Sequence, residues 1–99
     1  MNHSVDESAS GIVLHLSGEL DALTVDELRP TLDELAGRGD RPIVVDLSGL
    51  RLIDSSGVGA LVSLYKRVRE SGGHVEFAGV REQPLAIFKL LRLDLVFGL

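Results

Sequence analysis

Cysteine and tryptophan are both absent from this 99-residue chain. Without cysteine there is no disulfide scaffold, no thiolate metal site and no thiol nucleophile. Aromatic residues are scarce: Tyr65, Phe77, Phe88 and Phe97 are the whole set. Four scattered rings do not make a base-stacking platform for single-stranded nucleic acid. Positive charge is short as well, with 10 Lys and Arg against 15 Asp and Glu and a net charge of −5. The basic stripe that a phosphate backbone requires is missing. No apolar run approaches the ~20 residues needed to cross a bilayer. Met1 to Ser10 is polar and acidic, with neither the basic start nor the apolar stretch of a signal peptide. These absences predict a cytoplasmic protein that touches neither nucleic acid nor membrane directly.

What is present suits one folded domain over 1–99, with 1–4 as a flexible lead. Apolar residues make up 44% and charged residues 25%, a balance that excludes intrinsic disorder. A chain this short buries roughly 60–68% of its unfolded surface, enough for one core. Charge is uneven: residues 1–40 carry nine acids and two bases, residues 41–99 six acids and eight bases. The acidic first part suits a partner with a basic face, or simply solubility.

Periodicity sets out the elements. Val5 belongs to a short, weak first strand, turned by Ser8-Ala9-Ser10-Gly11 into a second strand over residues 12–16, with Ile12, Leu14 and Leu16 on one face. Gly18-Glu19-Leu20-Asp21 reads as a loop. Thr24-Val25-Asp26-Glu27 matches a capping box, and Val25, Leu28, Leu32 and Leu35 follow at helical spacing up to Gly37 and Gly39. Pro30 should kink that helix or delay its start. Residues 43–47 are β-branched and nearly all apolar, as in a central strand. A short polar connection follows. Asp54-Ser55-Ser56 then opens a helix with Val58, Leu61, Val62, Tyr65 and Val68 as its stripe, ended by Gly72-Gly73. Residues 75–78 form the next strand, Pro84 opens a helix carrying Leu85, Phe88 and Leu91, and residues 95–97 add an extended piece. The order β-β-α-β-α-β-α predicts an α/β fold. Its sheet is mixed, an N-terminal hairpin plus parallel strands, with helices packed against it.

The chemistry concentrates at residues 54–59. Helix N-termini present unpaired amides and partial positive charge. Capping alone accounts for Asp54, Ser55 or Ser56 singly. A second serine followed by Gly57 and Gly59 exceeds what a cap needs, and small glycines let another molecule approach. Other chemistries fit worse. Asp54 stands where a hydrolase elbow needs glycine before Ser56. Val62 stands where a dinucleotide fingerprint needs its third glycine, and there is no P-loop. Asp46 resembles a receiver aspartate but lacks the companion acids and lysine, so it reads as a structural acid at a strand end. His3, His15 and His74 have no metal-ligand spacing and read as solvent-facing or strand-edge residues.

The run from Asp46 to Leu61, with Asp54-Ser55-Ser56-Gly57-Val58-Gly59 at its centre, resembles the signature of STAS domains, most closely bacterial anti-sigma factor antagonists. Gly18-Glu19-Leu20-Asp21 matches that family's early loop motif, and the resemblance runs from about residue 5 to the end. It implies a STAS-like fold and a protein that is not an enzyme and needs no cofactor. It implies an anti-sigma factor with serine kinase activity as partner, Ser56 as its phosphorylation target, and a phosphoserine phosphatase as the second partner. Asp21, Asp54, Ser55, Ser56, Gly57 and Gly59 form the implied partner-facing surface. The alternative is a STAS regulatory subunit of a membrane lipid-transport ATPase complex. The chain departs from the family in two places. Arg92-Leu93 stands where a Gly-Leu pair is usual, and no further C-terminal helix follows, which leaves apolar surface uncovered.

Overall fold

The structure, a computed structural model, describes all residues from Met1 to Leu99. Strand β1 (Asn2–Ser8) turns through Ala9-Ser10 into β2 (Gly11–Leu20). Helix α1 (Val25–Ala36) leads to β3 (Ile43–Ile53), α2 (Ser55–Glu70) to β4 (Val75–Ala78), and α3 (Glu82–Leu90) to the single-turn α4 (Leu93–Val96). The sheet order is β1-β2-β3-β4, antiparallel for the first pair and parallel for the other two. This is the expected mixed α/β sheet.

Alternation explains its two faces. Ile12, Leu14 and Leu16 of β2, Ile43, Val45 and Leu47 of β3, and Val75 and Phe77 of β4 are buried on one side. They join the buried stripes of α1 (Val25, Leu28, Leu32, Leu35) and α2 (Val58, Leu61, Leu64, Val68) in a single core of 23 residues. Each such side chain gains ~1.5–3 kcal/mol by leaving water, which is why these registers win over their one-residue slips. The opposite face carries Val13, His15, Ser17, Val44 and Asp46, all partly exposed. All four aromatic rings meet at one end of the core. Phe97 stacks on Phe77 at 4.1 Å and meets Phe88 edge-on at 5.5 Å and Tyr65 at 5.4 Å.

Several expectations are corrected. Residues 2–4 are not a flexible lead but the start of β1, paired with Ser17, Leu16 and His15. The strand was underestimated because all seven of its residues are exposed, so no apolar alternation marks it. Gly18 to Leu20 belong to β2 rather than a loop, and the connection after residue 47 is strand to Ile53. Opposite nine residues of β2 (12–20), β3 uses eleven (43–53), through register shifts after His15 and after Gly18. These β-bulges space the buried residues Leu47, Leu50 and Ile53 three apart, which hides the period of two by which a strand is read. The capping box at Thr24 does not form; the Thr24 hydroxyl instead donates to the Glu19 carbonyl at 2.8 Å. Pro30 does not delay α1, which begins at Val25 and contains it. Leu91 is exposed, and the extended piece at 95–97 is instead α4 and its cap at Phe97.

The departure at Arg92 has a visible effect. Arg92 adopts φ 59°, ψ 24°, the left-handed conformation that the usual glycine takes without strain. Leu90, Leu91, Leu95, Val96 and Leu99 leave an apolar strip exposed at the C-terminal end. Arg92→Gly is expected to stabilise the protein by ~0.5–1 kcal/mol, because it removes the Cβ penalty at that turn. The midpoint of urea unfolding checks this, and an unchanged or lower midpoint contradicts it.

Candidate functional site

The parallel strands β2 and β3 end side by side, with Leu20 opposite Ile53. The loop to α1 and the first turn of α2 therefore leave the sheet together. Asp54 is the N-cap of α2, in extended conformation, and its Oδ1 accepts from the Gly57 amide at 3.1 Å. Its carbonyl accepts from the Val58 amide at 2.9 Å. Its Oδ2 accepts from the Ala22 amide at 3.1 Å, and its own amide donates to the Leu20 carbonyl at 3.2 Å. One residue thus closes the helix end and fastens it to the loop after β2.

Asp21 organises the other side of that junction. Its Oδ1 accepts from the amides of Leu23 at 2.9 Å and Thr24 at 3.0 Å. The aspartate supplies the turn that the Thr24 capping box was expected to supply. The structure brings Asp21, Asp54, Ser55 and Ser56 to one rim, as the sequence motif implied, and both acids spend carboxylate oxygens on backbone amides.

Ser55 is exposed and Ser56 is partly buried. Neither hydroxyl makes a side-chain hydrogen bond within the chain, because Asp54 already caps the helix. Their amides lie at the free N-terminal end, where the helix dipole favours negative charge.

The two glycines have opposite roles. Gly57 was expected on the partner-facing surface, but it is buried. A Cβ there would lie 2.6 Å from the Leu20 carbonyl oxygen and 2.7 Å from Ile53 Cγ1. It is glycine so that α2 can sit directly on the ends of β2 and β3. Gly59 is exposed, and a Cβ there would meet nothing within 4 Å. Packing within the chain gives no reason for glycine at that position, and mid-helix glycine costs ~1 kcal/mol relative to alanine. Gly59 begins a shallow groove of about 350 Å³ along α2, lined also by Val62, Ser63, Lys66, Arg67 and Glu70.

Sequence reasoning missed two parts of this rim. Gln83 holds the end of β3, where β4 no longer pairs: its Oε1 accepts from the Ile53 amide at 2.9 Å and its Nε2 donates to the Ile53 carbonyl at 3.0 Å. A side-chain amide here continues the ladder of the sheet, and no local sequence pattern announces that. Leu23, at the tip of the Asp21 loop, is 88% exposed. Its exposure follows from the turn that Asp21 imposes.

The weaker candidates are elsewhere. Asp46 lies within β3, where its Oδ1 accepts from the Ser48 amide at 3.0 Å, first among the interactions that hold its carboxyl below the usual range. His15 is on the inner strand β2 and faces solvent, rather than lying at a strand edge; His3 and His74 are exposed. No group of three or more His, Cys, Asp or Glu side chains is arranged to hold a metal ion. No helix is long and apolar enough to cross a membrane.

Residues 3–98 match the family model described as Mlab, STAS domain. The anti-sigma F factor antagonist of Paenibacillus polymyxa is 37% identical over 70 residues, covering 70% of this chain and 60% of that protein. The anti-sigma-B factor antagonist of Bacillus subtilis is 27% identical over 93 residues, covering 94% of this chain and 84% of that protein. Among solved structures, the phosphorylated form of the Bacillus cell fate determinant SpoIIAA superposes with a TM-score of 0.74 at 21% identity, covering 94% of this chain and 86% of that one.

The glycines give a paired prediction. Gly57→Ala should destabilise the fold by ~1–3 kcal/mol through overpacking against Leu20 and Ile53. Gly59→Ala should stabilise it by up to ~1 kcal/mol through helix propensity. Urea titration of both variants checks the signs; equal effects would refute the separation of their roles.

Proposed function

The chain belongs to the STAS domain family, and from that membership we propose that it is an anti-sigma factor antagonist switched by phosphorylation of Ser56. It is a binding module and a kinase substrate rather than an enzyme, and it works without a cofactor of its own. Unphosphorylated, it binds an anti-sigma factor and so frees the sigma factor. The anti-sigma factor, acting as a serine kinase, transfers the γ-phosphoryl group of ATP to Ser56 Oγ. The Oγ–H bond breaks, an Oγ–P bond forms, and ADP and a proton leave. A phosphoserine phosphatase hydrolyses the ester and restores the hydroxyl. The relatives named as anti-sigma factor antagonists in Paenibacillus polymyxa and Bacillus subtilis support this reading.

The family motif carries the choice of Ser56 over Ser55, whose hydroxyl is equally unengaged, and the geometry supports a free hydroxyl at that place. Asp54 performs the capping, so the Ser56 hydroxyl is left without an internal partner at a helix start. A phosphate there carries about −1.5 to −2 charges. The helix dipole offsets this by ~0.3–1 kcal/mol, so the fold tolerates the modification. The carboxylate of Asp54 works against it and gives the dianion no ion pair. At a docked interface, an unpaired buried charge costs ~2–5 kcal/mol. That corresponds to a loss of affinity of about 30-fold to more than 1,000-fold. The modification therefore changes binding while the fold persists. Gly59 fits the same reading, since its bare backbone admits a partner at close range.

The test joins mass spectrometry to calorimetry. Incubation with ATP and the cognate kinase should add one phosphate, mapped to Ser56, and Ser56→Ala should remain unmodified. Ser56→Asp should weaken binding to the anti-sigma factor at least tenfold while its circular dichroism stays as in the wild type. A phosphate mapped to Ser55, or Ser56→Ala modified at the wild-type rate, overturns the assignment. Stable co-purification with a transport ATPase and no phosphate on Ser56 favours the regulatory-subunit reading instead.

A further inference from the structure

The solvent-facing side of the sheet holds a cluster that the partner switch does not use. His15 stands on β2 between two carboxylates from the strands on either side. Its Nδ1 lies 2.9 Å from Asp46 Oδ2 on β3, and its Nε2 lies 3.0 Å from Asp6 Oδ2 on β1. The three residues form a polar ladder across three strands. Asp46 is anchored from behind by the Ser48 amide, whereas Asp6 is largely exposed and has no partner other than His15. Asn2 and Ser4 of β1, Ser17 of β2 and Ser48 of β3 also line this hollow and are uncharged, while His3, the other titratable residue in its lining, engages the Thr31 hydroxyl of α1 at 3.2 Å. The charged groups facing the ring are therefore Asp6 and Asp46.

We propose that His15 is a pH-sensitive clasp that holds the amino-terminal edge strand on the sheet. The imidazolium donates from both ring nitrogens and serves both carboxylates. The neutral ring has one N–H, and its other nitrogen then faces a carboxylate as a second acceptor. Asp46 keeps the proton-bearing side, because its other oxygen is already fixed by Ser48. Asp6 is released, and with it the side-chain tie that β1 makes to the ring. All seven residues of β1 are exposed, so this strand has no buried apolar side chain to compensate.

The sign follows from the same geometry. The hydrogen bond to Asp46 leads the interactions that raise His15 above its ordinary value, burial opposes them, and Asp6 adds to the rise. A raised histidine stabilises the fold fully below its unfolded pKa of about 6.5, and that contribution is lost as pH climbs through the folded value. On the acid side, Asp46 is held low, so its part is lost only as pH falls through its own depressed value. The clasp is closed between these limits and opens towards alkaline pH.

Nuclear magnetic resonance on the intact chain tests this in a His3→Gln background, which removes the other imidazole on β1. The His15 titration and the hydrogen-exchange protection of the β1 amides are followed from pH 5 to 9. Protection of β1, corrected for intrinsic exchange, should fall as His15 deprotonates. The fall should be about tenfold for each unit by which Asp6 raises the His15 midpoint, read from the shift in Asp6→Asn. An asparagine amide can accept from the imidazolium or donate to the neutral ring, so Asp6→Asn should make β1 protection independent of this titration. His15→Gln should do the same. Identical His15 midpoints in the wild type and Asp6→Asn, or β1 protection unchanged across the titration, overturn the proposal. Ser56 and its partner take no part in this readout.

Discussion

The carboxylate of Asp54 is the interaction on which the functional rim depends. One oxygen closes the first turn of α2 and the other takes the Ala22 amide, while the residue's own amide meets the Leu20 carbonyl. Two chain segments, residues 20–22 and 54–57, converge on this single residue. The buried Gly57 amide needs such a partner, and leaving a buried amide unmatched costs ~1–3 kcal/mol. Because Asp54 meets this need, Ser56 is relieved of any capping duty. The acid holds the geometry, and the hydroxyls of Ser55 and Ser56 are left without an internal partner.

The close seat of α2 on the sheet has its own requirement, met by Gly57. A helix start that touches strand ends at backbone distance cannot carry a side chain there. Gly59, two residues on, lies on the outer side of the same helix and is under no such constraint. The motif looks uniform in sequence, yet only Gly57 answers to packing within the chain. Only the location of each Cβ direction separates the two.

Much of the fold was legible from pattern alone. Strict alternation at Ile12, Leu14 and Leu16 and helical spacing at Leu28, Leu32 and Leu35 placed their elements and their buried faces correctly. Pattern failed where burial does not generate a period. The edge strand β1 is exposed throughout, and the bulged half of β3 buries Leu47, Leu50 and Ile53 at intervals of three. The rim was legible as a motif at Asp54-Ser55-Ser56, since capping residues announce a helix start. The contribution of Gln83 was not legible, because it acts on the Ile53 backbone, which the fold rather than the sequence brings near; Asp21 was legible through its loop motif and acts locally, on the amides of Leu23 and Thr24. Gly57 shows the same gap from the other side: its neighbours Leu20 and Ile53 come from two different strand ends.

The gathering of all four aromatic rings around Phe97 has an optical consequence. Tyr65 is the chain's single tyrosine, and no tryptophan is present to drain its excited state. It lies 5.4 Å from Phe97 and beneath the guanidinium of Arg69 at 5.6 Å. Its ultraviolet emission and near-ultraviolet dichroism therefore report, without any added label, whether the last turn of the chain is seated on the core.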